Sequence, residues 1–286
     1  MPISNARPGV WRIPVWGSLF NAGQVCASIE RVYVERPVAE LFIAACLREI
    51  EKVRVGDPLV AGTDIGPLSS EAHLQKILFH LEDAVGKGAR LLYGGTRLER
   101  PGFFLQPALL VDVDHSMLVM QEETFGPVLP VMVVDSLDEA VRLANDSCYA
   151  LSAFAYTASR VTAERLQRDL QAGTVIINDS TMSWGEPSAP WVGHKQSGIG
   201  LTHTDLGLLE LTQAKYVSYD RGRRAAPLWW FPYEPASVRL FHAAGDLLFS
   251  RRLRRKLAAL PAVFLQRRFL RSTHWGALLR NLDKIF

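Results

Sequence analysis

Cysteine is scarce in this chain of 286 residues, which holds only Cys26, Cys46 and Cys148, with no paired CxxC spacing. That excludes a disulfide framework and a zinc ribbon, gives no metal site, and fits a reducing cytoplasm. Long apolar runs are also missing. The longest, residues 257–265, has nine residues, about half of the roughly 18 needed to cross a bilayer. Residues 1–10 carry no apolar core of signal-peptide length, so secretion has no support. Net charge is small at +3, but it is unevenly divided. Residues 220–286 hold 14 Lys+Arg against 4 Asp+Glu, a net +10 that leaves −7 on residues 1–219. An acidic body and a basic tail need separate explanations. A hydrophobic content of 48% supports a sizeable buried core.

The body alternates helical and extended patterns. Helices are expected over residues 38–53 and 71–87, where apolar residues recur at helical spacing (Leu74, Ile77, Leu78, Leu81, Val85), and again over 137–145 and 159–171. Ser136 with Glu139 has the form of a capping box. Strands are expected over residues 29–34, 89–93, 103–111, 128–134, 150–156 and 173–178. This order predicts an α/β fold, a mostly parallel sheet covered by helices on both faces. The alternating stretch 211–219 reads as a further strand. Residues 240–260 read as a basic amphipathic helix that Pro261 breaks.

One stretch concentrates chemistry. Phe20-Asn21-Ala22-Gly23-Gln24-Val25-Cys26 places a thiol just after a flexible turn, with small neighbours at Ala22, Ala27 and Ser28. Gly23 permits backbone angles closed to other residues. On spacing alone a lone cysteine is more often a small buried hydrophobe than a nucleophile. Three other segments change that balance: Glu122-Glu123-Thr124-Phe125-Gly126-Pro127-Val128, Gly173-Thr174-Val175-Ile176-Ile177-Asn178, and Pro190-Trp191-Val192-Gly193-His194-Lys195-Gln196-Ser197-Gly198-Ile199-Gly200.

In this order, and with Arg31 following Cys26, these four segments resemble the NAD(P)-dependent aldehyde dehydrogenase superfamily over roughly residues 14–220. The resemblance implies oxidation of an aldehyde to a carboxylic acid through a thiohemiacetal and a thioester on Cys26. It implies NAD or NADP as cofactor, with Glu123 accepting the nicotinamide ribose hydroxyls and Phe125 positioning the ring. The last strand, residues 211–220, would pair across subunits of a homo-oligomer. Val192 and Leu201 depart from the family pattern. Trp184 and Trp191 are candidate walls of an aldehyde tunnel.

Family parts that lie upstream of the cysteine have no counterpart here: the nucleotide-binding βαβ unit, the Asn of the oxyanion hole and the Glu base for deacylation. The resemblance therefore implies a truncated chain that is inactive in isolation, with a non-catalytic oligomerisation or membrane-surface module as the alternative. Residues 1–13 do not resemble the family. Residues 1–8 equal a one-base-shifted reading of codons for Asp-Ala-Asp-Leu-Glu-Arg-Ala-Ala-Arg, a segment that relatives commonly carry just upstream, which suggests a shifted frame. The expected organisation is 1–13 non-family, 14–210 catalytic domain, 211–220 oligomerisation strand and 221–286 tail. In the tail, Trp229, Trp230, Phe231 and Tyr233 precede the basic helix. That mixture suits an anionic membrane surface, at the inner face, better than nucleic acid.

Overall fold

Continuous apolar runs, unlike alternating ones, suit strands buried on both faces, and the run at residues 128–134 sits at the centre of the fold. The structure, a computed structural model, describes residues 12–180, 185–219, 231 and 233–264. The shifted-frame segment up to residue 11, Trp184, Trp229 and Trp230 lie outside the described residues. The chain divides into two compact units, residues 1–213 and 214–286.

The first unit opens with α1 (Arg12–Leu19), β1 (Val32–Glu35), α2 (Arg36–Ile50), α3 (Glu71–Gly86), β2 (Arg90–Tyr93), β3 (Ala108–Val111), α4 (Leu118–Gln121) and β4 (Val128–Val134). Four strands form a sheet in the order β1-β4-β3-β2, with β4 parallel to both of its neighbours and β2 antiparallel to β3. Side chains alternate across it. Ala108 and Leu110 join Leu74, Ile77 and Met120 on one face, while Leu109 and Val111 join Phe42, Cys46 and Ile50 on the other. This two-sided burial is why β3 and β4 read as unbroken apolar runs.

The unit continues through α5 (Leu137–Asn145), β5 (Tyr149–Ala150), β6 (Ser152–Ala155), α6 (Arg160–Asp169), β7 (Thr174–Ile177), β8 (Trp191–Val192), β9 (His194–Lys195), β10 (Leu201–Thr202) and α7 (Thr204–Glu210). β6 and β7 pair in parallel as a separate two-stranded piece, and β5/β9 and β8/β10 are short antiparallel pairs. Serines cap three helices: Ser70, Ser136 and Ser159 accept from the N–H groups of His73, Glu139 and Thr162. At α5 the Glu139 carboxylate accepts the N–H of Asp135 at 2.8 Å, one residue ahead of the expected capping-box partner.

Two extended segments start at least three residues later than expected. β1 begins at Val32, because Ile29 donates its N–H to Gly17 O at 3.1 Å and Glu30 turns toward residues 124–125. Residues 103–107 lie outside β3, with Leu105 in a single bridge to Arg97. The strand expected over 211–219 is absent. Residues 213–219 have no regular structure and are exposed, with Tyr216 90% and Tyr219 85% accessible. A strand requires a hydrogen-bonded neighbour, and none of the described residues supplies one.

The second unit contains α8 (Pro235–Phe249) and α9 (Leu253–Phe264). The single helix expected over 240–260 is instead two, broken at residues 250–252, and Pro261 lies inside α9. Folding back lets Leu240 and Val263 bury each other with Ala243, Ala244 and Leu247, a gain that one straight helix does not offer. Pro261 falls in the last turn, where it removes one N–H···O=C bond of the helix. No helix among the described residues is long and apolar enough to cross a membrane.

Candidate active site

Cys26 follows a turn of three consecutive left-handed residues, Asn21 (φ 54°), Ala22 (φ 57°) and Gly23 (φ 71°). Two of them are not glycine, and each such residue costs on the order of 1 kcal/mol or more. Side chains hold the turn. Asn21 Nδ2 donates to Gln24 O at 3.1 Å, and Gln24 reaches the 67–69 loop, donating to Pro67 O and accepting the Ser69 N–H at 2.9 Å. Gly23 could carry no side chain. A Cβ there would lie 2.0 Å from Gly126 O, so the thiol turn is pressed against the backbone of the Glu-Thr-Phe-Gly segment. The Cys26 thiol is exposed, whereas Cys46 is buried, and burial pushes its thiol up to about 12.

The facing segment, residues 122–126, is fixed from beneath. Glu30 accepts the N–H groups of Thr124 at 3.0 Å and Phe125 at 2.8 Å, and burial raises its carboxyl to about 7 against these two favourable bonds. His80, buried on α3, lies 3.2 Å from Thr124 Oγ1, and its burial lowers its proton affinity. Lys76 Nζ donates to Glu123 O at 2.6 Å. Phe125 has a left-handed backbone (φ 56°) and stands 6.2 Å from the His73 ring.

A cavity of about 1250 Å³ is lined by Cys26, Glu30, Glu122, Glu123, Tyr149 and Asn178, among others. It brings Cys26 and Glu123 together. Phe125 is not part of its lining, and Trp191, half-buried on β8, is also outside it. Asn178 is turned inward on its own loop, its Oδ1 accepting the Thr157 N–H at 2.8 Å. Sequence reasoning missed Glu30. Its position four residues beyond Cys26 was visible, but the two amides that it holds are 94 and 95 residues away.

A model of the aldehyde dehydrogenase family matches residues 10–217 of the chain. The chain belongs to the aldehyde dehydrogenase family. Its fold matches the crystal structure of Escherichia coli lactaldehyde dehydrogenase with a TM-score of 0.71 at 34% identity, covering 74% of this chain and 45% of that one. Betaine aldehyde dehydrogenase from Staphylococcus aureus, solved with NAD+, gives 0.69 at 35% identity over 72% and 42%. Among curated relatives, a Methylomonas 4,4'-diapolycopene aldehyde oxidase is 37% identical over 278 residues, covering 95% of this chain and 51% of that protein. That match necessarily takes in most of residues 221–286. The alignment with this aldehyde oxidase therefore runs into the tail, which the motifs alone set outside the family pattern. The chain spans 42 to 51% of the length of the curated relatives it matches.

Proposed function

We propose that this chain carries the thiol side of an aldehyde-oxidising site, with Cys26 as nucleophile and Glu123 and Phe125 as its cofactor-facing residues. The observation that carries the reading is the single cavity lined by Cys26 and Glu123, whose two segments meet where Gly23 abuts Gly126. The Cys26 thiolate adds to the aldehyde carbon. Charge then grows on the former carbonyl oxygen, and the backbone N–H of Cys26 is suited to stabilise it. Bound NAD or NADP would supply the hydride acceptor. The nicotinamide end fits what is present, since the exposed Glu123 carboxylate can accept ribose hydroxyls and Glu30 fixes the backbone between it and Phe125. No glycine-rich phosphate cradle occurs among the described residues, so the other end of the cofactor needs groups beyond them. In iodoacetamide labelling with peptide mapping, Cys26 should react first. Faster labelling of Cys148 or Cys46 in the folded protein would remove Cys26 from this role.

The substrate class we infer is a large apolar aldehyde taken from a membrane surface. Support comes from the relative named for an aldehyde of 4,4'-diapolycopene, whose match extends into the tail, and from the apolar residues left exposed there: Phe249 82%, Leu253 69% and Leu257 56%. Arg251, Arg252, Arg254, Arg255 and Lys256 surround them and can meet lipid phosphates, each contributing about 1 kcal/mol near an anionic surface. Co-sedimentation of the full chain with anionic and neutral vesicles tests this. Equal binding to both, or binding unchanged in Leu253→Ser/Leu257→Ser, argues for a helix hairpin without a lipid role. We also propose that exposed residues 211–219 pair with a second subunit. A monomer at all concentrations in sedimentation velocity would exclude that.

A further inference from the structure

One stripe of α3 lies under the segment 122–126. Ile77 packs against Gly126 so closely that a Cβ there has no room. Lys76 Nζ donates to Glu123 O, and the His73 ring stands beside Phe125. His80, one turn beyond Lys76, is the polar member of a buried stripe that otherwise holds Leu74, Ile77, Leu81 and Ala84. An imidazole placed among apolar side chains requires a hydrogen-bonding partner to offset its burial.

Thr124 is that partner. Both residues are buried, and His80 Nδ1 lies 3.2 Å from Thr124 Oγ1. Burial lowers the proton affinity of His80, Lys76 adds to the lowering, and Glu122 and Asp83 oppose it. The ring is therefore neutral near pH 7, with one N–H and one acceptor nitrogen. Nε2 lies 3.6 Å from the Glu122 carboxylate, which favours the proton on Nε2 and leaves Nδ1 to accept the Thr124 hydroxyl. Thr124 points inward between two residues that do not, since Glu123 is exposed and Phe125 half-buried. Moving the segment by one residue along α3 would set Glu123 or Phe125 against His80 and leave a buried imidazole nitrogen unpaired. Two apolar side chains would carry no such penalty.

We propose that His80 is a positioning residue, which through the Thr124 hydroxyl fixes the register of residues 122–126 and so sets where Glu123 and Phe125 stand. Its importance for chemistry rests on the reading of those two residues as cofactor-facing. Glu30 holds the same segment by its backbone, accepting the N–H groups of Thr124 and Phe125. Backbone amides are alike at every residue, so Glu30 cannot tell one register from the next. The hydroxyl of Thr124 can, because neither Glu123 nor Phe125 carries one.

The test compares variants of the full chain. Thr124→Val keeps the side-chain volume and removes the hydroxyl, whereas Thr124→Ser keeps the hydroxyl and removes a buried methyl. Amide exchange at Glu123 and Phe125 should quicken about tenfold in Thr124→Val and stay native in Thr124→Ser, although the serine variant loses packing. The NMR shift of His80 Nδ1 should move in the valine variant alone. Oxidised nicotinamide mononucleotide should slow iodoacetamide labelling of Cys26, and Thr124→Val should need several-fold more of it for the same effect. In His80→Phe the valine and serine changes should become equivalent. Equal effects of valine and serine in the native chain, an unmoved ring shift, or a difference that persists in His80→Phe overturns the proposal. If His80→Phe does not fold, the first two comparisons decide. Glu123→Gln reports separately on the cofactor-facing reading. Slowing by the mononucleotide that survives this change, or no slowing in the native chain, removes that reading, while exchange and the ring shift still judge His80.

Discussion

Glu30→Gln isolates one half-buried carboxyl and the loop that it holds. The Glu30 carboxyl sits near 7 in the folded chain against an ordinary 4.5, chiefly because burial disfavours its charge. At roughly 1.4 kcal/mol per pH unit, this displacement corresponds to about 3 kcal/mol of pH-dependent stability. The sign follows from proton uptake. Between pH 4.5 and 7 the folded chain holds a proton on Glu30 that the unfolded chain has released, so stability falls as pH rises through that window and levels off above it. Glu123 repels the charged form and Lys76 attracts it, both more weakly than burial acts. His80 works in the opposite sense, since burial lowers its proton affinity, and its contribution is lost as pH falls. The useful quantity is therefore the difference between the native chain and Glu30→Gln in urea unfolding from pH 4.5 to 8. Glutamine leaves one acceptor for two N–H groups, a penalty of about 1 to 3 kcal/mol that is constant with pH. Relative to the native chain, the variant should gain about 3 kcal/mol between the ends of this range, and amide exchange at Thr124 and Phe125 should quicken at pH 8. A difference that stays flat with pH refutes the reasoning.

Gly23→Ala should destabilise the first unit by at least about 2 kcal/mol, because it adds a left-handed alanine and a Cβ 2.0 Å from Gly126 O; urea unfolding with Cys26 labelling checks both the fold and the presentation of the thiol. Ile77→Ala, at a fully buried position beneath Gly126, should cost about 2 to 5 kcal/mol, while Leu59→Ala, at 92% exposure, should change the urea midpoint little. Cys46 should resist alkylation until the chain unfolds, since its thiol is buried and pushed to about 12; rapid labelling in native buffer would contradict the packing of α2.

What could be read from the sequence follows from where each signal is stored. The run at 128–134 announces a doubly covered strand, and its bounds match β4 because burial on both faces leaves no polar position to blur them. Ser136 marks the start of α5 by a local bond to Glu139. Cys26 and Glu123 were proposed from segments whose order is itself informative. Glu30 was not legible, because its importance lies in bonds to residues 124 and 125 that only the tertiary fold creates. The tail misled for a related reason. Pro261 is a strong local breaker, yet the chain turns at residues 250–252, where no proline or glycine stands, because burial of Leu240 against Val263 outweighs the local signal. Residues 211–219 have strand-like alternation, but a strand needs a hydrogen-bonded neighbour, and none of the described residues supplies one.

The central claim is that Cys26 meets aldehydes in a built site, and aldehyde protection measures this most directly. Iodoacetamide labelling of Cys26 and Cys148, both exposed, is followed by peptide mapping while a long-chain aldehyde or the matching alcohol is added. The account predicts that the aldehyde slows labelling of Cys26 saturably, that the alcohol does so far less, and that Cys148 is unaffected by either. Equal slowing of both cysteines, or none at Cys26, would contradict it.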